Sequence, residues 1–190
     1  WNTAAHVQNN ESAPTKRPFT LEELQLLFDH ADDQVSLIAA SGRKGWLPAY
    51  RDAVMFKIAY SYGLRFNELN HLQTVDFARN PHAREFGRHG LVHVRYGKAK
   101  KGSPPKRRSV LTVFDWTPDV IADGLIHGQP FMDDGIDMFP SERGALVSED
   151  AVLTRLRRYC NDLGFSDGLD LHSLRRSYAT HLIEAGWDPL

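Results

Sequence analysis

The sequence predicts a mixed, mostly α-helical domain with a small antiparallel β-sheet or hairpin in its middle. Two observations carry this. Helical apolar spacing with capping residues dominates both ends of the chain. At the centre, two β-rich segments, Gly90–Tyr96 and Ser109–Phe114, flank a loop containing Gly102-Ser103-Pro104-Pro105. The length of 190 residues suits one large domain. An apolar share of 42% and a charged share of 25% are those of a globular chain, not of a disordered or fibrous one.

Each element follows from local chemistry. Residues 1–18 are polar and broken by Pro14 and Pro18, so they read as a linker or tail. Thr20 and Glu23 form a capping box that starts the first helix, with Phe19 placed to staple onto Leu24. A short separate helix is expected over Gln34–Ala40, ending near Gly42. A longer one follows Pro48 and stops at Gly63. Leu64–Leu72 reads as helical, and Leu72–Phe77 as a strand or an extended exit. After the two strands, Thr117–Ile126 is expected as a helix and Phe131–Phe139 as an acidic loop. Ser148 caps a helix running through Leu163, and the last helix spans about His172–Ala185 before Gly186.

Net charge is −1, but it is unevenly spread. Between Arg79 and Arg108 ten Lys/Arg face one acid, Glu85; between Ser109 and Asp150 nine acids face one Arg. The basic stretch can hold a polyanion or be a solvated loop. One cysteine, Cys160, excludes an internal disulfide and suits a cytoplasmic protein. Apolar runs such as Leu37–Ala40 fall far short of the roughly 18 residues that a membrane span needs.

Three segments hold groups suited to phosphate chemistry. His172 and Arg175, three apart on a helix, present an imidazole beside a guanidinium fork. The alternative is an ordinary amphipathic surface helix, on which Leu174, Tyr178 and Leu182, and less clearly His181, are packing residues. Arg65 stands at a helix start, where the dipole favours anions; a bound anion would resolve that tension, and Glu68 can orient the arginine or merely pair with it. Lys98 opens the basic loop and can reach into a site to protonate a leaving group, with Lys100 and Lys101 competing for the role. The same lysine can equally be solvated, or touch only a nucleic-acid backbone.

Together these segments resemble the tyrosine recombinases, the phage-integrase and Xer-like family. Y-S-Y-G-L-R-F-N-E-L is similar to the family's first arginine box, and L-H-S-L-R-R-S-Y-A-T-H-L to its H-x-x-R box. V-R-Y-G-K-A-K-K resembles its lysine-bearing hairpin, and K-R-P-F-T-L-E-E-L the start of its catalytic domain. The resemblance implies a catalytic domain over 19–190, preceded at 1–18 by a linker or the remnant of an N-terminal DNA-clamping domain.

It further implies breakage and rejoining of double-stranded DNA through a 3′-phosphotyrosyl intermediate, with no metal and no cofactor. Arg65 and Arg175 would clamp the phosphate, Lys98 would protonate the leaving 5′-oxygen, His172 would assist, and Glu68 would support Arg65. Lys100, Lys101, Lys106, Arg107 and Arg108 would contact the DNA backbone. The family's nucleophilic tyrosine lies beyond E-A-G-W-D-P-L, and none of Tyr50, Tyr60, Tyr62, Tyr96, Tyr159 and Tyr178 matches it. A C-terminally incomplete, inactive catalytic domain is therefore expected. It would be monomeric by itself, where a full-length parent would act as a tetramer on DNA. The alternative is a non-catalytic integrase-like DNA-binding protein. A metal-dependent phosphodiesterase is disfavoured because His89 and His93 sit roughly 13 Å apart on an extended strand.

Overall fold

The computed structural model describes residues 16–97, 102, 104–128, 137–141 and 144–187. Helix α1 spans Leu21–Ala40. Its capping box is formed: Thr20 Oγ1 accepts from the Glu23 amide at 3.1 Å, and Glu23 Oε2 accepts from the Thr20 amide at 2.9 Å. The separate helix expected over Gln34–Ala40 is instead the last part of α1. No glycine or proline interrupts the intervening turns, so nothing stops the helix.

Helix α2, Trp46–Ser61, is buried on nearly every side, as expected of a helix surrounded by others. It packs against α1 and, through its later turns, against the last helix of the chain. Asp52 lies fully buried in it, held by Arg51 Nη2 and by Arg155 Nε, each at 2.7 Å. Gly63, at φ +56°, closes the helix. The amides of Gly63 and Leu64 donate to the Tyr60 and Ala59 carbonyls, which caps the orphan end. Leu64 and Arg65 are then extended, so the helix expected over Leu64–Leu72 shrinks to α3, Phe66–Asn70.

A 3-10 turn, Thr74–Asp76, leads into β1, Phe77–Ala78. Strand β2, Leu91–Val94, pairs antiparallel with β1 on one side and with β3, Arg108–Leu111, on the other. The predicted hairpin is thus present with shorter strands, and a two-residue third strand widens it. Val92 and Val94 point inward while His93 faces out opposite Ser109.

Helix α4 spans Thr117–Gly128 and packs on α2. Most of the expected acidic loop, Phe131–Phe139, lies outside the described residues. Helix α5, Glu149–Asp162, starts at Ser148, whose Oγ accepts from the Ala151 amide. Helix α6, Leu171–Glu184, is capped by Asp170. The segment before α1 is fastened to α6: the Phe19 amide donates to Ser177 Oγ at 2.8 Å, and His181 Nε2 donates to the Phe19 carbonyl at 3.0 Å. Just before it, Lys16 pairs with Asp170 at 2.7 Å and Arg17 with Glu23 at 2.6 Å.

Candidate active site

The α2–α3 junction builds the first part of the site. Gly63 adopts a left-handed turn that a side chain would oppose, and a Cβ there would overlap the Tyr178 ring. This turn delivers Arg65 to the N-cap of α3. At the first turn of α3, Glu68 Oε2 accepts from the Arg65 amide at 2.9 Å. Glu68 Oε1 also accepts from Arg65 Nη1 at 2.9 Å. The remaining nitrogens of Arg65 have no protein partner among the described residues.

Glu68 is 2% exposed, so its charge needs compensation. Arg108, from β3, supplies most of it: Nη1 and Nη2 donate to the two carboxylate oxygens at 2.6 and 2.8 Å. Burial alone would raise the Glu68 pKa. The bonds from Arg108, from the Arg65 amide and from the Arg65 side chain outweigh burial and hold it at about 2.

Helix α6 brings the second part. Arg175 Nη1 donates to the Gly63 carbonyl, 112 positions away in sequence. Burial lowers the Arg175 pKa, and the guanidinium charges of Arg65 and Arg108 lower it further. Two guanidinium groups thus hold the one carboxylate, and the charge of a third, Arg175, is felt by both, an excess of positive charge that an anion would relieve. The neighbouring Arg176 is spent elsewhere, on Asp170 at 2.8 Å and Ser173 at 3.1 Å. His172 is exposed on the first turn of α6, on the face it shares with Arg175.

The hairpin side is firmly based. The Gly97 amide donates to the Lys106 carbonyl at 3.1 Å, an approach that a Cβ at Gly97 would block. Arg95 Nε lies 2.7 Å from the buried Asp76, and the Tyr96 ring lies tilted against that of His71, with ring centres 4.6 Å apart. Lys98 follows Gly97 directly, but Lys98, Lys100 and Lys101 lie outside the described residues. Lys106 and Arg107 are exposed on the return arm. Arg108, expected on the DNA backbone with them, has its fork on Glu68.

Five tyrosine hydroxyls are held or enclosed. Those of Tyr50, Tyr62 and Tyr178 donate to Asp123, the His89 carbonyl and the Leu111 carbonyl. Tyr60 bonds His181 at 3.0 Å, and burial pushes its pKa up to about 12. Tyr159 is fully buried. Tyr96, the sixth, is exposed, with its ring tilted against that of His71 at the hairpin base. Among the described residues, no three His, Cys, Asp or Glu side chains are placed to hold a metal, and no helix is long and apolar enough to cross a membrane.

The family model described as "Phage integrase family" matches residues 20–190. The chain belongs to the phage integrase family. Among family members it is 30% identical over 173 residues to tyrosine recombinase XerC of Chromohalobacter salexigens, covering 90% of this chain and 49% of that protein. It is 31% identical to XerC of Roseiflexus castenholzii over 73% of this chain and 40% of that one. The chain thus spans about half the length of the curated relatives it matches. Among solved structures, XerH recombinase in a post-cleavage complex with difH DNA superposes with a TM-score of 0.66. It shares 21% identity over 92% of this chain and 43% of that one. A λ integrase dimer bound to a core site gives a TM-score of 0.62 at 15% identity, over 96% of this chain and 59% of that one. At these identities the likeness is one of fold: mostly helical, with a small antiparallel sheet.

The structure therefore gathers Arg65, Glu68 and Arg175, and it adds Arg108 and the Gly63 carbonyl, which the motif reading did not assign to the site. A signal for Arg108 was available. Along β3, Arg108 and Val110 share the inward face while Ser109 and Leu111 face out.

Proposed function

We propose that this chain is the catalytic domain of a site-specific DNA recombinase that breaks and rejoins double-stranded DNA through a 3′-phosphotyrosyl link. The single observation that carries the reading is the bond from Arg175 to the Gly63 carbonyl. It draws the H-x-x-R helix onto the loop that carries Arg65. The relatives are tyrosine recombinases, which supports the same activity.

In this reading the free nitrogens of Arg65 and Arg175 take the two non-bridging oxygens of one phosphate. Their charge matters most as negative charge grows on the pentavalent transition state. Lys98 gives its proton to the departing 5′-oxygen. His172 holds the phosphate or assists proton transfer. The attacking hydroxyl is assigned to a tyrosine outside these 190 residues: none of the six within them matches the family's nucleophile, and five of the six are bonded or enclosed. The covalent link conserves the phosphodiester energy for rejoining, so the residues named need no cofactor to balance the step. Lys100, Lys101, Lys106 and Arg107 contact the DNA backbone. The chain alone is monomeric and cytoplasmic, and the tetramer forms only on paired DNA sites.

The test is a nicked suicide duplex, which traps the phosphotyrosyl link as a shifted band on a denaturing gel. A chain extended through the tyrosine segment of its relatives should give the band, and Arg175→Ala should slow it on the order of 100- to 1000-fold. Arg175→Lys should not restore the rate, because an ammonium cannot form the fork. Absence of any adduct from the extended chain would leave the non-catalytic DNA-binding reading. An adduct from the 190 residues alone would overturn the assignment of the nucleophile.

A further inference from the structure

We propose that Arg108 is a positioning residue for the phosphate site: by occupying both oxygens of the buried Glu68, it keeps the Arg65 guanidinium free to take an anion. The proposal rests on the strand-breakage reading above, in which Arg65 meets the phosphate.

The geometry shows the division of labour. Glu68 has two oxygens and accepts four bonds. Arg108 gives one bond to each oxygen, at 2.6 and 2.8 Å, in the parallel fork that makes such pairs strong. Arg65 gives only one side-chain bond, from Nη1 at 2.9 Å, and a backbone bond that fixes the start of α3. Its other nitrogens are left over. The Arg65 and Arg108 side chains are 34% and 32% exposed while that of Glu68 is 1%, so the carboxylate is sealed beneath two cations that still reach solvent.

Electrostatics gives the arrangement a consequence. Without Arg108, a buried carboxylate would have Arg65 as its one remaining guanidinium partner, and the Arg65 fork would close on it. The anion would then meet Arg175 and a neutralised Arg65–Glu68 pair. With Arg108 present, Glu68 is already neutralised and the charge of Arg65 remains available. Arg108 also stands on the return strand of the hairpin that carries Lys98. The same side chain thereby ties that strand to α3.

The experiment uses the 190-residue chain, with inorganic phosphate as the probe. Binding is followed through the Arg65 and Arg175 Nε–Hε NMR signals, with circular dichroism checking the fold of every variant. Arg108→Met should weaken phosphate binding about tenfold, the order expected for losing one unit charge a few Å from an anion near the surface. It should also raise the Glu68 titration, read from its carboxyl carbon, out of its low range. The double variant Glu68→Gln/Arg108→Met restores the charge balance, so it should recover phosphate binding to within about threefold of the original chain. A merely structural role for Arg108 gives no such recovery.

Should Arg108→Met destabilise the fold, Arg108→Lys supplies the second test. It keeps the charge without the fork, and should bind phosphate better than Arg108→Met but worse than the original chain. Unchanged phosphate affinity in Arg108→Met, or a double variant no better than Arg108→Met, overturns the proposal. Arg65→Met and Arg175→Met separate the two layers. If these abolish phosphate binding while Arg108→Met leaves it intact, Arg108 has no positioning role and the strand-breakage reading stands. If neither changes it, both fall.

Discussion

Replacing Gly63 with alanine should unfold the site from its pivot. Gly63 sits at φ +56°, where an L side chain costs roughly 1–2 kcal/mol. Its new Cβ would also overlap the Tyr178 ring, with two further ring carbons within 2.9 Å. The ring cannot simply swing away, because its hydroxyl is tied to the Leu111 carbonyl on β3 at 3.1 Å. Accommodating extra carbon in packed surroundings costs about 1–3 kcal/mol. The sum, about 2–5 kcal/mol, corresponds to a fall in Tm of roughly 4–20 °C for a domain of this size. Thermal and urea unfolding followed by circular dichroism would measure it. A double-mutant cycle with Tyr178→Ala isolates the clash: removing the ring should relieve about 1–3 kcal/mol of the Gly63→Ala penalty. A cost below about 0.5 kcal/mol, or strict additivity in the cycle, would refute the packing argument. The displaced Gly63 carbonyl would also release Arg175, so phosphate binding should weaken even where the fold survives.

Further expectations follow from the same contacts. The Glu68 pKa is depressed from 4.5 to about 2, so its ion pairs stabilise the fold fully above pH 4.5 and fade as pH falls toward 2. Glu68→Gln should therefore flatten the unfolding free energy against pH in that window, by about 3 kcal/mol in total; an unchanged profile would contradict the pairing. Asp52→Ala leaves Arg51 and Arg155 without their buried partner and should cost about 3–5 kcal/mol in denaturant unfolding. Duplex DNA binding measured by anisotropy should fall with salt with a log–log slope near −4 to −5, as for about four to six neutralised phosphates. Replacing Lys100, Lys101 and Lys106 together with alanine should weaken all sequences alike, and no salt dependence at all would remove the basic stretch from the account.

How much of this was legible beforehand depends on the range of each interaction. The capping boxes and the stops at Gly63 and Gly186 are local, and Thr20, Ser148 and Gly63 announce them within a turn. The separate helix expected from Gln34 is the end of α1, because Asp32 and Asp33 before it merely face solvent. Strand β1 has two residues, too few for any alternation to register, and exists because β2 offers it an edge. Arg65, Glu68 and Arg175 were reached through the motifs they share with the phage integrase family. Spacing alone could not have joined α2, α3 and α6. Arg108 was hidden in a run of basic residues, and only the face of β3 on which it lies separates it from Arg107.

We propose above that Arg65 and Arg175 serve one phosphate. A crystal structure of the chain with a duplex carrying its cleavage site tests it most directly. Both guanidinium groups should lie within about 3 Å of non-bridging oxygens on the same phosphorus, with Arg108 still on Glu68. Two guanidinium groups on different phosphates, or roughly 12 Å apart with no shared anion, would contradict it.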